Sequence, residues 1–84
     1  MAFVHEREVD DVGLWMRDTA VPLSAAFADG AGTITAIVDM DPCAADPCPV
    51  YRPPGPYLIA LEVRQGELDR LGVRVGDRLS LRGR

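Results

Sequence analysis

The sequence predicts a small, mainly β fold: an antiparallel barrel or sandwich with one short helix near the C-terminus and a proline-rich crossover loop. Three observations point to it. Apolar residues alternate with period two in separate stretches, glycine-bearing turns punctuate them, and six of the seven prolines crowd into Pro42–Pro56. Eighty-four residues, 48% of them hydrophobic and 26% charged, make room for one domain with one core. A core of that size leaves folding marginal without help from a disulfide or a partner subunit.

Met1 to Val4 is a short apolar run. His5 to Asp11 is charged, with Val9 its one apolar residue, and reads as a turn or mobile edge. Gly13 to Arg17 has an apolar strand pattern with Trp15 as the expected core anchor, and Asp18 and Thr19 supply oxygens suited to ending it in a turn. From Pro22 to Asp29, Leu23, Ala25 and Phe27 share one face and Ser24, Ala26 and Ala28 the other. Asp29-Gly30-Ala31-Gly32 can close a hairpin with Thr33 to Met40, where Ile34, Ala36, Val38 and Met40 alternate with Thr33, Thr35, Ile37 and Asp39. Beyond the loop, Tyr57, Ile59, Leu61 and Val63 alternate with Leu58, Ala60 and Glu62. Gly66 to Leu71 reads as one or two helical turns, with Glu67 and Asp69 in the first turn and Gly72 placed for a left-handed C-terminus. Val73 and Val75 lead through the turn Gly76-Asp77 into a closing strand, Arg78 to Arg82. No internal repeat is present.

Charge excludes several functions. Nine arginines and no lysine stand against thirteen carboxylates, for a net charge of -4. The first fifty residues hold two Arg and nine acids, the remainder seven Arg and four acids, so the two parts offset each other's self-repulsion when they lie side by side. An acidic chain is a poor nucleic-acid ligand, even with a local stripe of Arg74, Arg78, Arg82 and Arg84. No stretch reaches the ~20 apolar residues of a membrane span. The charged start M-A-F-V-H-E-R-E is unlike a signal peptide, which reads as cytoplasmic. His5 lacks a nucleophile partner, and the glycines form no phosphate loop. Asp39, Asp41 and Asp46 are acids that could gather a hard cation, but near prolines they read as solvated turn residues. No cofactor is expected.

The stretch that concentrates chemistry is Asp39 to Tyr57, D-M-D-P-C-A-A-D-P-C-P-V-Y-R-P-P-G-P-Y. Its prolines fix φ and lower the entropy of the unfolded loop, so the segment can be ordered without a hydrogen-bond ladder of its own. One reading is a stiff cover over one end of the core, with Tyr51 and Tyr57 packed beneath it. The other is a rigid rim around a small pocket, where Tyr51, Arg52 and Tyr57 meet Arg17 and Asp18 and would suit a carboxylate, a phosphate or a sugar. Cys43 and Cys48 are spaced for a disulfide worth about 2 kcal/mol in the chain-entropy model. Two free thiols, a metal pair completed by two further ligands and a redox pair are the alternatives, although C-x4-C is wide for zinc and prolines deny the helix start a redox thiolate uses.

Trp15 to Thr19 (W-M-R-D-T), Pro22 to Phe27 (P-L-S-A-A-F), Asp41 to Tyr51 (D-P-C-A-A-D-P-C-P-V-Y) and Gly72 to Asp77 (G-V-R-V-G-D), in that order and spacing, resemble the bacterial and archaeal family called domain of unknown function 192. The resemblance implies a mainly β fold and supplies no reaction. It also implies further N-terminal strands leading into a G-M-L-F-like segment similar to Met1-Ala2-Phe3-Val4, so the chain reads as a shortened form of the family domain. Many family members are exported, and an exported chain would favour the disulfide.

Together these readings describe a non-enzymatic module that binds a small ligand or a protein partner at the 41–57 loop, with a homodimer formed through an exposed edge strand. A cysteine-dependent metal-binding or redox protein is the alternative.

Overall fold

The computed structural model describes residues 1–79. Beyond Leu79 the expected closing strand, and with it Arg82 and Arg84, lies outside the described residues. Six strands and one helix follow in order: β1 (Ala2–Val9), β2 (Leu14–Trp15), β3 (Leu23–Ala28), β4 (Ile34–Met40), β5 (Val50–Tyr51), β6 (Tyr57–Arg64) and α1 (Glu67–Arg70). Four of the strands form an antiparallel sheet in the order β1-β6-β3-β4, and β2 pairs with β5 in a separate antiparallel ribbon. The mainly β class holds. The sheet is open, with β1 and β4 as its edges, rather than closed into a barrel.

β3 lies between β6 and β4, and Ala25, Ala26, Phe27 and Ala28 are fully buried. Alternation sends Ala25 and Phe27 into one apolar layer, with Met16, Met40, Tyr57 and Ala60, and Ala26 into another on the opposite face, with Ile34 and Leu68. Alanine has weak strand propensity, but a doubly covered central strand favours small side chains because both layers must approach the backbone closely. The hairpin β3–β4 turns as its composition predicts. Asp29 Oδ1 accepts from the amides of Ala31 and Thr33, each at 3.0 Å, and the Gly32 amide donates to the Asp29 carbonyl at 2.9 Å. Gly32 has φ +87, and a Cβ there would stand 2.7 Å from the Leu79 carbonyl oxygen.

Four expectations change. His5 to Val9 is no loose connection but the second half of β1, since backbone pairing to β6 tolerates charged side chains on a solvated edge; a register shift between Val4 and Val9 bends it. The alternation of β4 breaks at Thr35. Phe27 opposes Ala36 but Ala28 opposes Ile34, and this bulge moves Ile34 onto the face of Ile37. Tyr57, expected beside Ile59 and Leu61, instead packs in the layer of Phe27, with ring centroids 4.8 Å apart at 74°. Trp15 is not a core anchor: it is 57% exposed, and its neighbour Met16 is fully buried in its place. Strand geometry allows only one of two adjacent side chains to face inward, and Leu14 and the ribbon register assign that role to the even-numbered residues.

The C-terminal end of α1 matches its sequence. The Val73 amide donates to the Leu68 carbonyl at 2.8 Å and the Gly72 amide to the Asp69 carbonyl at 3.0 Å, with Gly72 at φ +75, which is a Schellman closure. It turns Val73 back onto the layer of Leu68.

Phe27→Ala therefore costs about 3–5 kcal/mol, whereas Trp15→Ala costs about 0.5 kcal/mol or less; urea unfolding of the two variants measures the contrast. Equal losses would contradict the outward placement of Trp15.

Candidate functional site

The ribbon β2–β5 and the loop that carries β5 form one end of the molecule. In the ribbon, Leu14 opposes Tyr51 and Trp15 opposes Val50. Leu14 and Tyr51 face inward against the layer of Phe27 and Met40. Trp15 and Val50 therefore face outward, at 57% and 58% exposure. The register continues to Gly13 opposite Arg52. A Cβ on Gly13 would lie 2.4 Å from Val50 Cγ1 and 2.8 Å from Arg52 Cγ, so glycine lets these side chains lie across the strand.

The chain then turns at Asp18, which adopts φ 61, a left-handed conformation that aspartate tolerates better than most residues. The Asp18 amide donates to the Cys43 carbonyl at 2.9 Å and the Thr19 amide to the Met16 carbonyl at 3.0 Å, while Cys43 bridges to both Arg17 and Thr19. Cys43 and Cys48 are joined by a disulfide. Inside the short loop it closes, Asp46 accepts a hydrogen bond from Arg17 Nη1 at 2.5 Å; Arg17 Nε lies 3.6 Å from Asp18 Oδ1. A shallow groove of about 330 Å³ runs between Asp18–Ala20 and Pro42–Ala44.

The structure thus brings Arg17 and Asp18 together and adds Asp46, which the sequence reading weighs only as a cation ligand or a solvated turn residue. Tyr51 of β5 faces inward, and Arg52, the residue after the strand, is exposed. The Tyr51 hydroxyl faces the Asp41 amide at 3.4 Å. Tyr57 is buried, its hydroxyl donating to the Val12 carbonyl at 2.8 Å and its ring touching Phe27 and His5. Asp39, Asp41 and Asp46 do not converge: Asp39 accepts from Ser24, Asp41 from Gln65, and Asp46 from Arg17. Sequence reasoning missed the outward pair Trp15–Val50. The signal was there in Gly13-Leu14-Trp15-Met16, where alternation forces a choice between Trp15 and its two neighbours.

Electrostatics narrow what this end can bind. Arg17 is shared between two carboxylates, so an anion arriving there must displace one of them and meets a net negative cluster. The ion pairs themselves are solvent-exposed and add little stability. Burial, and secondarily the Asp11 carboxylate, push the Tyr57 phenol above its ordinary value.

With this geometry in hand, the family model described as DUF192, uncharacterized ACR, matches residues 1–81. The chain belongs to the DUF192 family. A solved structure from Sinorhizobium meliloti 1021, described there as a candidate transcription regulator, is similar to it with a TM-score of 0.75 and 33% identity. The match covers 93% of this DUF192 chain and 58% of that one, so this chain spans little more than half the length of its neighbour. No curated protein sequence matches it.

Two outcomes follow for this DUF192 chain. Replacing both Cys43 and Cys48 with serine, or reducing them, removes about 2 kcal/mol in the chain-entropy model, read as a lower denaturation midpoint than that of the oxidised wild type; an unchanged midpoint would mean that the clasp constrains nothing. A phenol with a raised folded value contributes its stability in full below the unfolded value of about 10 and loses it as pH rises through the folded value. Wild-type stability therefore falls as pH rises from about 10 to the folded value. Tyr57→Phe, at a cost of about 1 kcal/mol for the hydrogen bond to Val12, flattens this alkaline fall in urea titrations.

Proposed function

We propose that this DUF192 chain is a non-enzymatic partner-binding module whose recognition surface is the outer face of the β2–β5 ribbon, held in place by the 41–57 loop. The observation that carries the reading is Trp15, more than half exposed directly opposite an equally exposed Val50. Tryptophan and arginine dominate the energetics of protein interfaces, and an exposed Trp–Val pair flanked by Arg52 has that composition. Backbone pairing, the inward Leu14 and Tyr51 and the disulfide beside them hold the surface rigid before binding, which lowers the entropic cost of association. The groove beside Asp18 and Pro42, with Arg17 at its edge, would receive a smaller protruding group of the same partner.

A protein surface fits better than nucleic acid. Among the described residues Arg52 is the cation beside the Trp15–Val50 pair, and the chain carries a net charge of -4. The regulatory description of the Sinorhizobium meliloti protein is compatible with a role through protein contacts. A homodimer along β1 meets an obstacle: symmetric antiparallel registers centred on Glu6, Arg7 or Glu8 set that charge opposite its own copy, which limits self-pairing to registers centred at or before His5. The disulfide suits an oxidising compartment. Among the described residues no helix is long and apolar enough to cross a membrane.

Site-specific photocrosslinking tests the reading in the native host. A benzophenone side chain at position 15 is expected to give discrete protein adducts, and the same group at position 75, where Val75 is also exposed, is not. Gly13→Ala, which forces Val50 and Arg52 aside, should reduce the adduct yield from position 15. Adducts equally abundant from both positions, or none from position 15, would remove the ribbon face from consideration.

A further inference from the structure

A second cavity, also of about 330 Å³, lies on the opposite face of the sheet, where α1 and Val73 cover β3 and β4. Its wall is apolar, formed by Ile37, Leu68 and Val73, and its polar lining comes from Ser24, Asp39 and Asp69. Ser24 and Asp39 are cross-strand partners and so stand side by side on this face.

The polar groups share one property. Ser24 is 3% exposed and donates its single proton to Asp39 Oδ1 at 2.6 Å, which leaves the serine oxygen only its lone pairs to offer. Ionised Asp39 and Asp69 are acceptors as well. Among the described residues, every side-chain polar group lining the cavity is thus an acceptor, and none of the lining residues is cationic. The nearest helical cation, Arg70, is turned to Glu67, donating from Nε at 3.0 Å and from Nη2 at 2.8 Å. Gly66, at the cavity mouth with φ +91, has nothing within reach of a Cβ and so leaves the entrance open.

Such a lining calls for a ligand that only donates, is positively charged and has an apolar body. A primary ammonium has three donors and no acceptor. We propose that this cavity binds a small alkyl ammonium compound, its nitrogen donating to Asp39, Asp69 and Ser24 and its carbon chain lying against Ile37, Leu68 and Val73. The seat is separate from the ribbon face, so either reading can fail without the other.

The probe is n-butylammonium, with 1-butanol and butyrate as neutral and anionic comparators, followed by amide chemical shifts of the isotope-labelled full chain. Butylammonium is expected to give saturable shifts at Ser24, Asp39, Leu68 and Val73, with butanol weaker by about tenfold, the worth of one charge-assisted hydrogen bond, and butyrate inactive. Asp39→Asn keeps an oxygen to accept from Ser24, and Asp69, although it lines the cavity, is an exposed residue, so both variants should fold. Each should weaken butylammonium by about tenfold, and Asp41→Asn, whose carboxylate is not among the lining groups, should leave it unchanged. Equal binding of butanol and butylammonium, an equal loss in Asp41→Asn, or no saturable shift in the millimolar range would overturn the proposal.

Discussion

Four successive residues of β3, Ala25 to Ala28, are closed to solvent on both faces of the sheet, and the strand is paired along both of its edges. A strand in that position must be covered twice, and the molecule is built to do so. Phe27, Met16, Met40 and Tyr57 fill one side beneath the ribbon and the proline loop, and Leu68, Val73 and Leu79 close the other beneath the short helix and the segment after it. One cover is the two-stranded ribbon with the loop that carries β5, the other a four-residue helix and the segment after it. Each is made from loop segments stiffened locally, one by proline and a disulfide, the other by a Schellman closure.

This division gives the two candidate surfaces different characters. The ribbon end turns Leu14 and Tyr51 toward the core and leaves Trp15 and Val50 exposed. The helix side is concave because a four-residue helix cannot fill the width of the sheet, and the gap it leaves is lined by Ser24 and Asp39 of the strands and Asp69 of the helix.

Where the sequence was legible, the signal was local. The Asp29–Thr33 turn, the hairpin it closes and the end of α1 at Gly72 depend on residues within one turn of each other, and they fold as their chemistry requires. The spacing of Cys43 and Cys48 allowed a disulfide but left free thiols, a metal pair and a redox pair open; the structure joins the two. The errors have another source. His5 to Val9 joined β1 because β6 offered an edge, Ile34 changed faces through a bulge, and Asp39, Asp41 and Asp46, close in sequence, were drawn to three different partners.

The sequence by itself determined the mainly β class, the Asp29–Thr33 turn and the helix end at Gly72, because period-two alternation and positive-φ glycines act on the nearest backbone alone. Only the tertiary structure decided that Met16 rather than Trp15 enters the core, that Arg17 is neutralised by Asp46, and that Ser24 shares a cavity with Asp69. Those outcomes depend on which distant segment covers each face of β3, and a one-residue difference in register exchanges every inward side chain for an outward one.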